Sequence, residues 1–214
     1  MLLAALVCAL GLACASPEGT GGGYSYFNRP RGDDSWSYPI ARWQAREREA
    51  EPVAAPRAVR PPALAGPGTE APLRGRYQSF LALRRRQLAQ EVAAWVQGES
   101  RDRYLDDGPV DFWPTFEEAL AAPGDDCDGL ELLSYHVLRE LGFPPGELFR
   151  AILHHPRFGQ HHMVTLWFET PDDPWVIDPT ATVTGSPRRM SEIEDWRPVK
   201  VFSETLEYTV RSAR

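Results

Sequence analysis

The chain is predicted to be an α+β domain in which one central helix packs on an antiparallel sheet. Three observations carry that prediction. Leu130, Leu133, Val137, Leu138 and Leu141 recur at helical spacing, and Gly142 followed by Pro144 and Pro145 ends the run, which makes one helix with an apolar face. Beyond it the pattern changes to alternation, over Leu148 to His154, His162 to Thr170, Trp175 to Ile177, Lys200 to Phe202 and Leu206 to Val210. Turn residues such as Pro171-Asp172-Asp173-Pro174 separate these runs, so consecutive strands are expected to pair as hairpins.

Composition bounds the rest. With 214 residues, 43% of them hydrophobic and 11% aromatic, the chain can bury one sizeable core, while 20 prolines and 17 glycines predict that part of it does not pack. A formal charge of −7 excludes the clustered Lys/Arg footprint of a nucleic-acid binder, and Arg84-Arg85-Arg86 spans one helical turn and reads as a solvated face.

In chain order, residues 1–15 read as a leader. Met1 to Ala13 is uncharged, apolar and too short for a spanning helix, which is the pattern of a secretory signal without its usual basic start. The run is expected to end either in cleavage after the small-residue pattern Ala13-Cys14-Ala15 or, since Leu10-Gly11-Leu12-Ala13-Cys14 resembles a bacterial lipobox, in lipidation at Cys14 that would anchor the chain to a membrane. Residues 16–75 are rich in Gly, Pro, Ala and charge and read as a disordered linker, with the aromatics from Tyr24 to Trp43 as its one departure. The domain then occupies residues 76–214. It opens with an amphipathic helix over Tyr77 to Gln97, on which Phe80, Leu83, Leu88, Val92, Trp95 and Val96 are expected to face the core. An irregular segment, Gly98 to Pro114, leads to a short helix from Thr115 to Leu120, in which Thr115 and Glu118 form a capping box.

The chemistry gathers at the start of the central helix. Cys8 and Cys14 lie in the leader, so Cys127 is the one thiol of the mature domain, and it sits where helix N–H groups favour a thiolate. Such a nucleophile needs a base, and the base needs an acceptor to set its tautomer. His162 opens a strand, Asp178 closes the next, and the Pro-Asp-Asp-Pro turn between them would bring the two side by side. His161 and His162 point to opposite sheet faces, so one of them alone can serve Cys127.

Cys127 at a helix start, His162-Met163-Val164-Thr165-Leu166-Trp167, and Trp175-Val176-Ile177-Asp178-Pro179-Thr180 together resemble the transglutaminase-like core. The segment from Asp111-Phe112-Trp113-Pro114 to Gly124-Asp125-Asp126-Cys127-Asp128 is similar, more narrowly, to bacterial transglutaminase-like cysteine proteinases, which are periplasmic. The resemblance spans about Tyr77 to Asp178. It implies a papain-like fold and a cysteine-dependent hydrolase or acyl-transferase acting on protein or peptide amides. Cys127 would be the nucleophile, His162 the base and Asp178 its orienting partner. It implies no required cofactor, and it makes Asp126 and Asp128 candidate calcium ligands, since two carboxylates beside a thiol oppose its ionisation unless a cation neutralises them. The chain departs from the narrower group at Gly129, where a second Asp is usual, and at Pro179 after Asp178.

Other readings stand beside this one. An inactive transglutaminase-like binding module of the envelope would keep the fold without the chemistry. A metal-binding structural domain would use His154, His155, His161 and His162, but adjacent histidines on a strand diverge. His136 reads as a packed or exposed helix residue, and Trp113 as a core anchor in preference to a groove wall.

Overall fold

Alternation after residue 147 builds the sheet on which everything else rests. The computed structural model describes residues 23–50, 72–106, 108 and 110–213. Strands β1 (Tyr24–Asn28), β2 (Leu148–His155), β3 (Gln160–Trp167), β4 (Trp175–Ile177), β5 (Arg188–Arg189), β6 (Arg197–Phe202) and β7 (Glu207–Ser212) form one sheet in the order β1-β7-β6-β2-β3-β4-β5, antiparallel throughout. The β2 and β3 hairpin is its spine, in register from Leu148 opposite Trp167 to His155 opposite Gln160. Pro198 has no N–H to give the ladder, and the β2–β6 register shifts where it pairs with Leu153.

Helices α1 (Ser37–Ala50), α2 (Pro72–Arg103), α3 (Phe116–Ala121) and α4 (Cys127–Glu140) belong with one face of that sheet. Alternation along β3 divides the core in two: Met163 and Trp167 join Leu130, Leu132, Tyr135 and Leu138 of α4, while Val164 and Leu166 join Phe149, Val176 and Val201 on the other face. The α+β class with a helix on an antiparallel sheet is therefore what the chain adopts.

The central helix is buried on more sides than its leucine spacing predicts. Leu130 and Leu138 are buried as expected, but Leu133 and Val137 are half-buried and Leu141 is exposed, while Glu131, Ser134, Tyr135 and His136 are buried. Buried charge accounts for this. Arg150 of β2, wholly buried, donates from Nε to Glu131 at 2.5 Å and from Nη2 to the Asp128 carbonyl at 2.8 Å, and its guanidinium lies 4.4 Å from the Trp43 ring centre. Thr165 of β3 donates to the other Glu131 oxygen at 2.6 Å. His136 is packed: it stacks on Phe116 at 3.9 Å and bonds Glu47 at 3.0 Å. Trp113 is a core anchor, stacked between Trp36 and Phe202.

The reading of residues 16–75 as a disordered linker is corrected over 24–50. Tyr24 to Asn28 pairs with β7 at the sheet edge, and α1 buries Ile40, Trp43 and Glu47. Three buried positions at i, i+3 and i+7 in an otherwise polar helix are too sparse to register as an apolar period, and a five-residue edge strand offers little more. Lys200, 1% exposed, ties this segment down through Asp34 at 2.9 Å, and Glu207, its other partner, accepts from Ser37 at 2.7 Å. Residues 1–22 and 51–71, including the leader, Cys8 and Cys14, lie outside the described residues.

Two helix readings also change. The helix over Tyr77 to Gln97 runs from Pro72 to Arg103, so part of the irregular segment is helical. Only its second half meets the core, through Ala89, Val92, Ala93 and Val96, whereas Phe80, Leu83 and Trp95 are exposed. The short helix keeps its capping box, with Thr115 and Glu118 bonded reciprocally. Among the described residues, no helix is long and apolar enough to cross a membrane.

Candidate active site

The loop ahead of α4 is held by backbone before any side chain acts. The Asp125 N–H donates to the Arg103 carbonyl at 3.0 Å and the Leu105 N–H to the Asp125 carbonyl at 3.1 Å, so Tyr104 and Asp125 form a parallel bridge. This approach requires Gly124, because a Cβ there would lie 2.1 Å from the Arg103 oxygen. Asp126 then caps α4, accepting the Asp128 N–H at 3.0 Å.

Cys127 is the first helical residue and is half-buried. The Met163 amide, next along β3 after His162, is the neighbour that favours its thiolate. The helix terminus alone would favour the thiolate. The surroundings reverse that expectation: burial pushes the thiol well up, Asp126, Asp128 and Asp111 push in the same direction, and the Met163 amide opposes them without prevailing. Tyr104 is drawn into the same field. Burial first, then the charges of Cys127, Asp126 and Asp106, raise its phenol to about 12.

The β3–β4 hairpin pairs Thr165 with Ile177 and leaves Asp178 just beyond, on the His162 side of the sheet. His162 Nε2 lies 2.9 Å from Asp178 Oδ1, both side chains being nearly closed to solvent. Asp178 accepts three backbone N–H groups as well, from Thr180 at 3.0 Å, Val183 at 2.5 Å and Thr184 at 3.0 Å. Burial by itself would raise this carboxyl. The His162 hydrogen bond and charge, with the Thr184 and Thr180 amides, outweigh it and hold the group below its ordinary value. A carboxylate can only accept, so Nε2–H is the donor and Nδ1 carries the basic lone pair.

Three supports here were not read from the sequence. Gln97 of α2 donates to the carbonyls of Asp178 at 2.9 Å and Thr184 at 3.2 Å, which fixes the Asp178 loop to the helix layer. That loop contains Ala181 at φ 61°, a left-handed conformation ordinarily left to glycine. Trp196 forms a wall, with its ring centre 5.8 Å from His162 and 5.1 Å from His155. None of these carries a local motif; each becomes visible only when separate strands are assembled.

His161 points to the opposite face, stacked on His154 at 4.8 Å and edge-on to Trp36 at 4.9 Å. Among the described residues, the acidic run before and after Cys127 is the group that converges as metal ligands do. Carboxylate oxygens of Asp125, Asp126 and Asp128 lie within 4.8 Å of one another. Asp125 thus joins the two ligands read from the sequence, and Gly129 shows why: a Cβ at 129 would lie 2.4 Å from the Asp125 carboxyl carbon. The departure at Gly129 makes the space that Asp125 fills.

These residues fit a hard divalent cation. All donors are carboxylate oxygens, and Asp128 Oδ1 is buried with no hydrogen-bond partner. Burial, then Asp126, push the Asp128 carboxyl well above its ordinary value despite Arg150. Burial and the neighbouring carboxylates together outweigh Arg150 there.

No family model matches the chain, and no curated protein matches it. Solved structures do. A structure of Legionella pneumophila LapG aligns at TM-score 0.49 and 21% identity, covering 56% of this chain and 65% of that one. EGTA-treated LapG aligns at TM-score 0.51 and 21% identity, over 58% of this chain and 66% of that one. Calcium-bound LapG aligns at TM-score 0.47 and 21% identity, over 55% and 67%. The chain spans about two thirds of the length of these structures. The likeness shows the fold, a transglutaminase-like α+β core.

Proposed function

We propose that the domain is a cysteine-dependent hydrolase of protein or peptide amides, working through Cys127, His162 and Asp178. The observation that supports this most is the pairing of His162 with Asp178 at 2.9 Å, on the strand whose next amide, Met163, favours the Cys127 thiolate. The Cys127 proton passes to His162 Nδ1 as the sulfur attacks the carbonyl carbon, and the Cys127 N–H at the helix start donates to the developing oxyanion. The imidazolium, held by Asp178, returns the proton to the leaving amine, and a thioester remains. Water, deprotonated by His162, then cleaves the thioester and restores the thiol. Hydrolysis leads over acyl transfer because no amine-acceptor site was read from the sequence.

Asp125, Asp126 and Asp128 would hold a calcium-like cation, which would supply positive charge beside the thiol. The chain's own contribution is to keep these carboxylates gathered through the Gly124 bridge, the Asp126 cap and the Gly129 space.

We further infer secretion to the periplasm, or an outer-membrane lipoprotein, from Met1 to Ala13 and the lipobox-like Cys14. Release from the membrane fraction in Cys14→Ala would support the anchor, and unchanged fractionation would remove it.

The catalytic proposal is tested by iodoacetamide labelling and amide turnover on an unbiased peptide library. Cys127→Ala and His162→Ala should each abolish cleavage, and His162→Ala should slow labelling. Cleavage that survives Cys127→Ala, or labelling unaltered in His162→Ala, would remove the triad from the mechanism, and absence of any cleavage by the unaltered chain would leave the fold as a binding module.

A further inference from the structure

The first three turns of α2 carry an apolar and basic face that lies exposed among the described residues. Leu73, Tyr77 and Phe80 are 76%, 62% and 63% exposed, and at i, i+4 and i+7 they form one stripe. Leu83, also exposed, lies beside it. The charge along this stretch has a single sign: from Pro72 to Gln90 the chain has Arg74, Arg76, Arg84, Arg85 and Arg86 and no Asp or Glu, within a protein of formal charge −7.

Pairing separates the two ends of the run. Toward the domain, Arg86 binds Glu169 at 3.0 Å and Arg85 lies 3.9 Å from Glu147, while Arg84 lies 3.7 Å from Glu91 of the same helix. Arg74 and Arg76 have no carboxylate partner among the described residues. A free positive end therefore coincides with the most exposed apolar side chains. A solvated helix face would carry both signs and few aromatics.

We propose that this face binds an anionic lipid surface. Leu73, Tyr77, Phe80 and Leu83 enter the boundary between headgroups and acyl chains, and Arg74 and Arg76 meet the lipid phosphates. Association is peripheral, because the apolar residues cover one stripe of the helix and not its whole girth. Lipid suits the face better than an acidic protein groove does. Arginines flanking aromatic and leucine side chains match a layered boundary, in which the guanidinium groups stay in the phosphate layer while apolar groups sink below it. The inference stands apart from the catalytic reading and survives its failure.

The test uses the full chain carrying Cys14→Ser, so that no lipid can be attached. Sedimentation is measured with vesicles of phosphatidylcholine alone and with about 30% phosphatidylglycerol. Binding is expected on the anionic vesicles, weakened about tenfold or more by Tyr77→Ser with Phe80→Ser, by Arg74→Glu with Arg76→Glu, and by raising salt from about 0.1 to about 0.5 M. All four side chains are exposed, and unchanged urea midpoints will show that the variants remain folded. Equal binding to both vesicle types, or binding indifferent to both variants, would overturn the proposal. So would self-association abolished by the same substitutions without any vesicle binding, which would assign the face to a second copy of the chain.

Discussion

His162 Nε2 stands 2.9 Å from Asp178 Oδ1, and the same carboxylate receives the N–H groups of Thr180, Val183 and Thr184. One buried group thus orients the imidazole and closes the loop after β4. Asp178→Asn keeps the volume but replaces an acceptor oxygen by a donor, which favours the wrong tautomer of His162 and leaves at least one amide unpaired. Amide cleavage should fall by about three to four orders of magnitude. Urea unfolding should show a loss of about 1–3 kcal/mol. An Asp178→Asn protein with wild-type turnover would remove Asp178 from the mechanism.

The same carboxylate sets an acid-side pH dependence. Its folded pKa is depressed, so the unfolded chain binds the proton more readily between the two values. The stability from Asp178 is fully present above the unfolded value of about 3.9 and is lost as pH falls through the folded one. Urea midpoints measured from pH 7 to pH 2.5 should therefore fall more steeply below about pH 4 in the wild type than in Asp178→Asn. Parallel curves would place the acid sensitivity elsewhere.

Gly129 and Gly124 act on the acidic cluster by different routes. Gly129→Ala puts a methyl into the space of the Asp125 carboxyl, so calcium affinity measured by titration calorimetry should drop about 10- to 100-fold with modest loss of stability. Gly124→Ala meets backbone, the Arg103 carbonyl, and should cost about 1–3 kcal/mol whether or not calcium is present. Equal calcium affinity in wild type and Gly129→Ala would dissociate Asp125 from the site.

Removing Arg150 should be costly because its partner cannot reach water. Glu131 is 0% exposed, and Arg150→Met would leave its carboxylate facing Thr165 alone. A loss of about 3–5 kcal/mol is expected in urea unfolding. Arg150→Met with Glu131→Met should recover much of it, since a well-packed apolar pair can replace a buried ion pair. A double variant as unstable as the single one would show that the Asp128 carbonyl contact, not the ion pair, is what matters.

The local patterns along the chain carried a good part of this fold. The helix that starts at Cys127, the capping box at Thr115 and the β3–β4 hairpin follow from periodicity and turn chemistry between neighbours in sequence, and those rules act over a few residues. The opposite facing of His161 and His162 follows in the same way from strand alternation. Edge strand β1 and helix α1 escaped, because Tyr26, Ile40 and Trp43 are isolated apolar residues whose burial depends on a sheet built from the far end of the chain. Phe80 and Leu83 misled for the converse reason: helical spacing marks a face, but only the length of the domain beneath it decides where that face stops being covered.

By itself the sequence determined on which elements the candidate groups ride: one thiol opening a helix, one histidine near the start of a strand, and one aspartate just after the next. Tertiary structure decided the electrostatics. Asp178 is held ionised by four converging donors, the Cys127 thiol is pushed up by burial and by three aspartates, and Asp125 reaches the cluster through the gap at Gly129. A pKa depends on distances and solvent exclusion between residues remote in the chain, and those quantities exist only once the sheet and its helices have closed around them.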